Sequence, residues 1–239
     1  VPATGRGVGG IPPMIRELPG ANYAITTNGA VIADLKTNKA IRTCGLSNEM
    51  VQRILNIAKK YHSATDPFID GRAITQPSSI DHMDEFGLSP QMQKLIRDTR
   101  EVVPDVMEYV KTTGAQAEKI NIFMTDLEER EILRKELMAM PELSISSSMY
   151  NNLEVNAKGA DKGSALLWLA DHLGISREET MAFGDGENDI PMIKAAGIGV
   201  AMENALDTVK EAADTITLNN DEDGVAAAIR KFIFGSSEE

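Results

Sequence analysis

The sequence predicts an α/β protein with a Rossmann-like, doubly wound parallel sheet as its core and an inserted α+β cap domain. Strand and helix patterns alternate in the last part of the chain, as a parallel sheet requires. The chain opens with a strand, a glycine-rich loop and a helix, and the block between these parts changes to an α+β pattern. We therefore expect a core of residues 1–45 and 149–239, interrupted by a second domain of residues 46–148.

The chain is acidic and has enough apolar residues for a sizeable core. Of its 239 residues 42% are hydrophobic, and 36 acidic side chains against 24 basic ones give a net charge of −12. Because this charge repels nucleic-acid phosphates and anionic lipids, we expect neither nucleic acid nor a membrane as a partner. No apolar run approaches the roughly 20 residues that span a bilayer. The single cysteine, Cys44, allows no internal disulfide, which favours a cytoplasmic location.

The first block, residues 1 to about 43, is predicted to form a strand, a loop, a helix and a pair of strands. Residues 1–3 are the predicted end of a strand, and MIREL is a short predicted helix. The stretch NYAITTNGAVIADL is predicted to form two strands that turn at Asn28-Gly29, because Asn-Gly is a strong hairpin signal. This block thus supplies the first strand and helix of the core.

The middle block has helices and strands of its own. Ser47 is the predicted N-cap of a helix in which Met50, Ile54, Ile57 and Ala58 recur at helical spacing. A β segment follows in PFIDGRAIT, which turns at its Asp-Gly pair. The stretches PQMQKLIRDTREVV and EEREILRKELMAM are predicted helices, and EKINIFM and ELSISSSMY are predicted strands. This order indicates a small α+β module.

The last block alternates between the two kinds of element. The predicted strands are LEV, TMAFGD, IGVAM and TITL, and the predicted helices are SALLWLADHLG, IPMIKAAG and ALDTVKEAAD. Gly174 ends the first of these helices, and Ser176 and Glu179 fit a capping box before the next strand. Apart from the polar tail GSSEE, the sequence has no low-complexity segment.

The glycine-rich loop at Gly5–Gly10 fits the pattern G-x-G-x-x-G of dinucleotide-binding loops. Such a loop needs an acidic residue about 20 positions later to hold the ribose hydroxyls. Residues 22–33 contain no acid, and Pro12 and Pro13 stand where the helix beneath a pyrophosphate should already have begun. A nucleotide-cofactor oxidoreductase remains one alternative, and a glycine-rich loop without a ligand is another.

Two carboxylates and an amide follow a predicted buried strand in the string GDGEND. They are Asp185, Asn188 and Asp189, at the carboxyl edge where open α/β sheets bind ligands. Such oxygen atoms suit a hard cation. The alternative is a solvated acidic turn.

A lysine near the start of a predicted helix is the third candidate feature. The ammonium group of Lys162 and the helix N-terminus can both face one anion. Lys158 is a rival for this role, and either lysine could instead be an ordinary exposed side chain.

Taken in order, these motifs resemble one family. The stretches ATGR, ITTNGA, GADKGSALLWL, FGDGENDIPMIKAAGIGVAMENA and AADTITLNNDEDGVAAAI are similar to those of the Cof-type phosphatases of the haloacid dehalogenase superfamily. The resemblance runs from Val1 to about Ile229, and the middle block resembles their class II, subtype B cap. It identifies Ala3–Arg6 with the phosphate-binding second motif and makes the G-x-G-x-x-G match accidental.

The resemblance implies a role for each candidate residue. Thr4 and Gly5 would hold the oxygens of the transferring phosphoryl group. Lys162 would neutralise charge on that group and on the attacking carboxylate. On the phosphoryl or substrate side, Asn28 and Asn188 would provide hydrogen bonds. These roles agree with the demand of phosphoryl transfer for positioning and charge neutralisation.

The resemblance also implies a metal and a lid. Asp185 would ligate Mg²⁺, and Asp189 would be a second ligand or a partner that orients the first. The middle block would cover the site, exclude water and select the substrate. We therefore expect a Mg²⁺-dependent phosphatase that acts on a small phosphorylated metabolite, such as a sugar phosphate, as a monomer or homodimer.

One part of the family pattern has no match in this sequence. Cof-type enzymes attack phosphorus with the first Asp of a D-x-D-G-T motif, and the sequence contains no such motif. We expect that the nucleophile lies upstream of Val1, and that residues 1–239 alone are inactive and fold poorly. The alternative is a non-catalytic relative that binds a phosphorylated metabolite.

Overall fold

The computed structural model describes residues 1–235, so the last four residues of the polar tail lie outside the described part. The chain divides into two units, Val1–Ala160 and Asp161–Glu239. The domain boundaries expected near residues 45 and 148 stay predictions.

The first unit opens with a strand-like segment that pairs with a later strand. Ala3 forms a parallel bridge with Ile25, which lies in β1 (Tyr23–Thr26). A 3-10 helix, Val8–Gly10, and helix α1, Pro13–Arg16, make the connection between them. Strands β2 (Val31–Asp34) and β3 (Lys39–Thr43) then continue a small antiparallel sheet in the order β1-β2-β3. The predicted strand, loop, helix and strand pair are therefore present.

The β1–β2 hairpin turns where Asn-Gly predicted it, but its turn is longer than two residues. Thr26 is paired with Val31, so four residues connect the strands. Within this turn φ is +48° at Thr27, +60° at Asn28 and +97° at Gly29. Positive φ is unfavourable for a β-branched residue such as Thr27, so contacts elsewhere must hold the turn in this conformation.

A six-stranded sheet forms most of the rest of the first unit. Its strands are β4 (Ser63–Ile69), β5 (Arg72–Thr75), β6 (Arg100–Val102), β7 (Lys119–Met124), β8 (Leu143–Ser146) and β9 (Asn152–Ala157), in the order β6-β5-β4-β7-β9-β8. The predicted Asp70-Gly71 turn joins β4 to β5, with φ of +50° and +76° at these two residues. Both residues therefore have a left-handed backbone conformation, as a tight hairpin turn requires.

Five helices accompany this sheet. They are α2 (Asn48–Ala58), α3 (Pro77–Asp81), α4 (Pro90–Thr99), α5 (Val106–Thr113) and α6 (Leu127–Met138). Ser47 caps α2 as predicted, because its hydroxyl accepts a hydrogen bond from the Met50 backbone N–H at 3.2 Å. Helices α3 and α5 were not predicted.

The two faces of the six-stranded sheet differ in chemistry. One face packs into an apolar core with α2, α5 and α6, through buried side chains that include Ile122 of β7 and Leu153 of β9. The other face carries a polar band beside an apolar cluster that includes Ala64 and Phe123: Asp66 is paired in register with Asn121, and Asn121 with Glu154. These three polar side chains are buried as well.

Two predicted elements are corrected by the structure. Strand β9, predicted as LEV at the start of the parallel core, pairs antiparallel with β7 and β8. A short apolar segment indicates a buried strand but does not select its partner. The predicted helix that starts at Pro90 ends at Thr99, and Arg100–Val102 is strand β6, parallel to β5. Pairing with β5 overrides the helical pattern at this end.

The second unit is a parallel α/β unit, as predicted. Its elements are α7 (Lys162–His172), β10 (Met181–Gly184), α8 (Ile190–Ala195), β11 (Ile198–Ala201), α9 (Asp207–Ala212), β12 (Thr215–Ile216) and α10 (Gly224–Ile233). The strands pair in parallel in the order β10-β11-β12. Gly174, with φ of +68°, follows α7 as predicted. In residues 1–235 no helix is both long enough and apolar enough to cross a membrane.

Candidate active site

Three residues predicted to bind phosphate, Thr4, Gly5 and Asn28, lie side by side in the first unit. The Thr4 backbone N–H donates to the Ile25 carbonyl oxygen at 2.9 Å, and the Asn28 N–H donates to the Thr4 carbonyl oxygen at 3.1 Å. The Thr4 hydroxyl accepts a hydrogen bond from the Arg6 backbone N–H at 3.1 Å. The opening segment and the β1–β2 turn are therefore joined by hydrogen bonds at the position of these candidates.

Close packing requires glycine at two positions of the glycine-rich loop. A Cβ atom at Gly5 would lie 2.9 Å from Asn28 Oδ1. At Gly7 it would lie 2.5 Å from the carbonyl oxygen of Gly71, in the β4–β5 turn. Close approach of backbone to neighbouring atoms is a common reason for glycine. Packing against these two turns accounts for both glycines without a dinucleotide.

The side chain of Asn28 belongs to a buried polar network. Its Nδ2 donates to Glu154 Oε2 at 2.8 Å and to Asn156 Oδ1 at 3.3 Å. The other carboxylate oxygen of Glu154 lies 2.5 Å from Lys119 Nζ. Lys119 lies on β7, and Glu154 lies on the neighbouring strand β9. Glu154, Asn156 and Lys119 were not predicted as site residues.

A sequence signal for this network exists. Polar residues occupy alternate positions in β7, at Lys119 and Asn121, and in β9, at Asn152, Glu154 and Asn156. Alternation usually indicates a strand with one solvated face. Here all five side chains are only 1–5% exposed. The pattern could have identified a polar face, but it could not show that this face is covered.

Glu118 lies next to this network and carries a perturbed carboxyl group. Its Oε1 accepts a hydrogen bond from the Gly71 backbone N–H at 2.7 Å. Burial raises the pKa of the Glu118 carboxyl above its ordinary value. The hydrogen bond from Gly71 works in the opposite direction, and the negative charge of Asp70 adds to the increase in pKa.

In the second unit, Lys162 and Asp189 form a buried ion pair. Lys162 Nζ lies 2.6 Å from Asp189 Oδ1, and the side chains are 5% and 9% exposed. Asp189 Oδ2 accepts hydrogen bonds from the backbone N–H groups of Asp185, at 3.0 Å, and Gly186, at 3.1 Å. Each carboxylate oxygen of Asp189 is thus engaged, which favours its predicted role as an orienting partner over that of a metal ligand.

Local sequence explains why Lys162 is placed at the start of α7. The Asp161 side chain caps the helix by accepting a hydrogen bond from the Ser164 backbone N–H at 2.8 Å. Gly163 allows close contact with α8, because a Cβ atom there would lie 2.3 Å from the Pro191 carbonyl oxygen. The rival Lys158 lies in the first unit, after β9, and is exposed. Burial and an acidic partner therefore favour Lys162 over Lys158.

Asp185 and Asn188 lie between β10 and α8. Asp185 directly follows β10 and is exposed, and its Oδ2 accepts a hydrogen bond from Asn204 Nδ2 at 3.3 Å. Asn188 belongs to the 3-10 helix Glu187–Asp189. This loop begins at the carboxyl end of the strand, the expected position for ligand-binding groups in a parallel α/β unit.

The exposed carboxylate of Asp185 fits an open magnesium site. Proteins usually hold Mg²⁺ by one or two carboxylates, with water and substrate phosphate oxygens as the remaining ligands. Over the described part of the chain, no three His, Cys, Asp or Glu side chains are grouped so that they could enclose a metal ion. Asp185 could therefore supply one carboxylate ligand to such a site.

Comparison with curated proteins gives phosphatase relatives. The chain is 50% identical over 114 residues to 5-amino-6-(5-phospho-D-ribitylamino)uracil phosphatase YcsE of Bacillus subtilis, and this match covers 46% of each chain. The chain thus matches about half the length of this relative.

Comparison with solved structures supports the fold over nearly the whole chain. A haloacid dehalogenase-like hydrolase from B. subtilis has a TM-score of 0.83 and 28% identity, covering 97% of this chain and 86% of the other. A subclass IIB sugar phosphatase of the haloacid dehalogenase superfamily has a TM-score of 0.76 and 28% identity, covering 96% and 84%. The predicted resemblance and the predicted Rossmann-like α/β fold class with a cap are both confirmed.

A family model described as haloacid dehalogenase-like hydrolase matches residues 1–229. This match covers the first unit, most of the second unit and every candidate residue. Curated phosphatases and solved hydrolases of the same superfamily agree with it. The chain therefore belongs to the haloacid dehalogenase-like hydrolase family.

Proposed function

We propose that the protein is a Mg²⁺-dependent phosphatase that hydrolyses a small phosphorylated metabolite, a sugar phosphate or a similar monoester. The observation that carries this proposal is the buried Lys162–Asp189 pair, at 2.6 Å, at the N-terminus of α7. A fixed ammonium group at a helix N-terminus suits an anionic ligand, because the helix dipole adds to its positive charge.

The proposal assigns phosphate binding and charge neutralisation to separate residues. Thr4 and Gly5 hold phosphoryl oxygens, and Asn28 and Asn188 bind on the phosphoryl or substrate side. Lys162 neutralises negative charge as the phosphoryl group transfers. When Mg²⁺ is bound at Asp185, it supplies further charge neutralisation and orients the phosphoryl group.

The reaction we propose is the covalent route of this family. An aspartate oxygen attacks phosphorus, the bond from phosphorus to the leaving oxygen breaks, and a second carboxyl gives its proton to that oxygen. Water then hydrolyses the aspartyl-phosphate. The sequence has no D-x-D-G-T motif, so residues 1–239 supply the binding groups but no residue that we assign as the nucleophile.

The relatives support the class of substrate. One relative acts, by its name, on 5-amino-6-(5-phospho-D-ribitylamino)uracil, and one structural neighbour is a sugar phosphatase. Both descriptions indicate small phosphorylated compounds. We propose the same class here, with selection by the middle block, residues 46–148, acting as a lid.

The net charge supports the remaining proposals. At −12 the chain would repel nucleic-acid phosphates and anionic membrane surfaces, so we propose a small-molecule partner only. We also propose a cytoplasmic location, because the one cysteine forms no internal disulfide, and a monomer or homodimer as the assembly.

A non-catalytic protein that binds a phosphorylated metabolite is the second candidate. Turnover of a panel of phosphomonoesters by the full-length protein, with Mg²⁺ and then with EDTA, distinguishes the two functions. We expect Mg²⁺-dependent release of phosphate from at least one sugar phosphate. Saturable binding of such compounds by calorimetry without phosphate release would instead support the second candidate.

A further inference from the structure

We propose that Glu154 is a positioning residue that fixes the carboxamide of Asn28 beside the Thr4–Gly5 turn, and that Lys119 fixes Glu154. This inference rests on the proposed function, in which Asn28, Thr4 and Gly5 bind the phosphorylated substrate. It adds two residues of the six-stranded sheet to the determinants of substrate binding.

The contacts form a continuous chain from the sheet to the turn. Lys119 Nζ lies 2.5 Å from Glu154 Oε1, and Asn28 Nδ2 lies 2.8 Å from Glu154 Oε2. A Cβ atom at Gly5 would lie 2.9 Å from Asn28 Oδ1, 3.4 Å from Glu154 Oε1 and 3.5 Å from Lys119 Nζ. All three side chains therefore border the space that a side chain at residue 5 would need.

Stability alone does not explain a charged pair at this position. The side chains of Lys119 and Glu154 are 3% and 4% exposed, so both charges have lost almost all their hydration. Replacing a buried ion pair by apolar side chains of similar volume is often neutral or stabilising. The pair is better explained by the hydrogen bond that Glu154 accepts from Asn28.

The turn that contains Asn28 needs such support. Thr27, Asn28 and Gly29 all have positive φ. Asn156 Nδ2 donates to the Thr27 carbonyl oxygen at 3.0 Å and to the Glu118 carbonyl oxygen at 3.2 Å, which ties the turn backbone to strand β9 and to the residue that precedes β7. Asn156 thus supports the backbone of the turn, and Glu154 supports the side chain that the turn carries.

Fixing Asn28 in advance lowers the entropy cost of binding. A side chain that is already held in one rotamer loses no further freedom when the substrate binds. Loss of the acceptor at residue 154 should therefore raise KM by about two- to tenfold, with a smaller change in kcat. A residue that only stabilised the fold would not act on KM through Asn28.

Two double variants of the full-length protein test this role. Lys119→Met with Glu154→Gln removes both charges but keeps an oxygen acceptor for Asn28. Lys119→Met with Glu154→Leu also removes both charges but leaves no acceptor at residue 154, so that only the longer hydrogen bond to Asn156 Oδ1, at 3.3 Å, is kept. Because neither leaves an unpaired buried charge, the two variants differ chiefly in the hydrogen bond to Asn28.

Two readouts are measured on each variant. The first is KM and kcat for the best phosphomonoester, with and without the additional change Asn28→Ala. The second is hydrogen exchange of the Asn28 side-chain amide by NMR, which needs no activity. We expect the Leu variant to have the higher KM, by about two- to tenfold, and the faster amide exchange. The difference in KM should disappear in the Asn28→Ala background.

Other results overturn the inference. Equal amide exchange in the two variants would do so, even if the protein had no phosphatase activity and the proposed function had failed. A difference in KM that persists with Asn28→Ala would show that Glu154 acts by another route. If neither double variant folds, the side-chain amide exchange of Asn28 is measured in the wild-type protein. Exchange as fast as in an unstructured peptide would then overturn the inference.

Discussion

Lys162 Nζ lies 2.6 Å from Asp189 Oδ1, and neither side chain is more than 9% exposed. Lys162 is the first residue of helix α7, and Asp189 directly precedes helix α8. Asp189 also accepts hydrogen bonds from two backbone N–H groups of the loop after β10. One carboxylate therefore fixes both the lysine that we assign to phosphoryl transfer and the loop that carries Asp185.

Asp189→Ala should destabilise the protein by about 3–5 kcal/mol, because it leaves the Lys162 charge buried and unpaired. The free energy of unfolding in urea measures this loss. The double variant Lys162→Met with Asp189→Ala removes both charges and should recover part of the stability. A loss below about 1 kcal/mol for the single variant would contradict a buried pair.

Lys162→Ala should lower kcat of the full-length enzyme by about 10²-fold or more, as expected for loss of one preorganised group that stabilises charge. Steady-state kinetics with a saturating sugar phosphate measures it, and circular dichroism checks that the variant folds. Lys158→Ala is the matched control, since Lys158 is exposed. A larger loss in the control would move the assignment to Lys158.

Asp185→Asn should weaken Mg²⁺ activation strongly, because it removes the formal charge from the carboxylate that we assign to the metal. Activity is titrated with Mg²⁺ after treatment with EDTA. Asp171→Asn, at an exposed position of α7, removes an acidic charge elsewhere in the same unit and serves as the control. An unchanged Mg²⁺ titration for Asp185→Asn would remove this residue from the metal site.

Glu118→Gln should stabilise the protein at pH 7. Burial raises the pKa of the Glu118 carboxyl in the folded state above its ordinary value of 4.5. The carboxyl therefore contributes stability below pH 4.5, and this contribution is lost as pH rises through the higher folded pKa. Glutamine stays neutral and can still accept the hydrogen bond from Gly71.

Urea unfolding between pH 4 and pH 8 checks this prediction. The advantage of Glu118→Gln over the wild type should be absent at the acid end and should grow with rising pH. Glu211→Gln, at an exposed position of α9, controls for the change in net charge. An advantage that is constant over the whole range would show that it does not come from ionisation.

Local signals predicted the parallel unit and several turns well. The alternating patterns from TMAFGD to TITL correctly predicted β10, β11 and β12. The Asp-Gly pair correctly predicted the β4–β5 turn. Ser47 and the Ser176–Glu179 capping box were also identified correctly. In these elements the side chains and backbone bonds that define the structure are close together in sequence.

Long-range pairing could not be predicted in the same way. Strand β9 was recognised as a strand, but its antiparallel partners β7 and β8 follow from the whole sheet. Asn28 was a candidate because of the motif around it, whereas Glu154 lies 126 residues away and contacts it only in the folded chain. Its burial depends on what covers the polar sheet face, and no local pattern encodes that.

Gly184→Ala should destabilise the protein by about 1–3 kcal/mol, the usual cost of overpacking. A Cβ atom at Gly184 would lie 2.3 Å from Asp189 Cβ and 2.8 Å from its Oδ2, so the carboxylate must move. That movement should also separate Asp189 from Lys162 and reduce phosphatase activity. Gly9→Ala is the matched control, because a Cβ atom there meets no atom within 4 Å. Urea unfolding and kcat are measured on both variants, and equal stability of the two would show that the loop can accommodate a methyl group without moving Asp189.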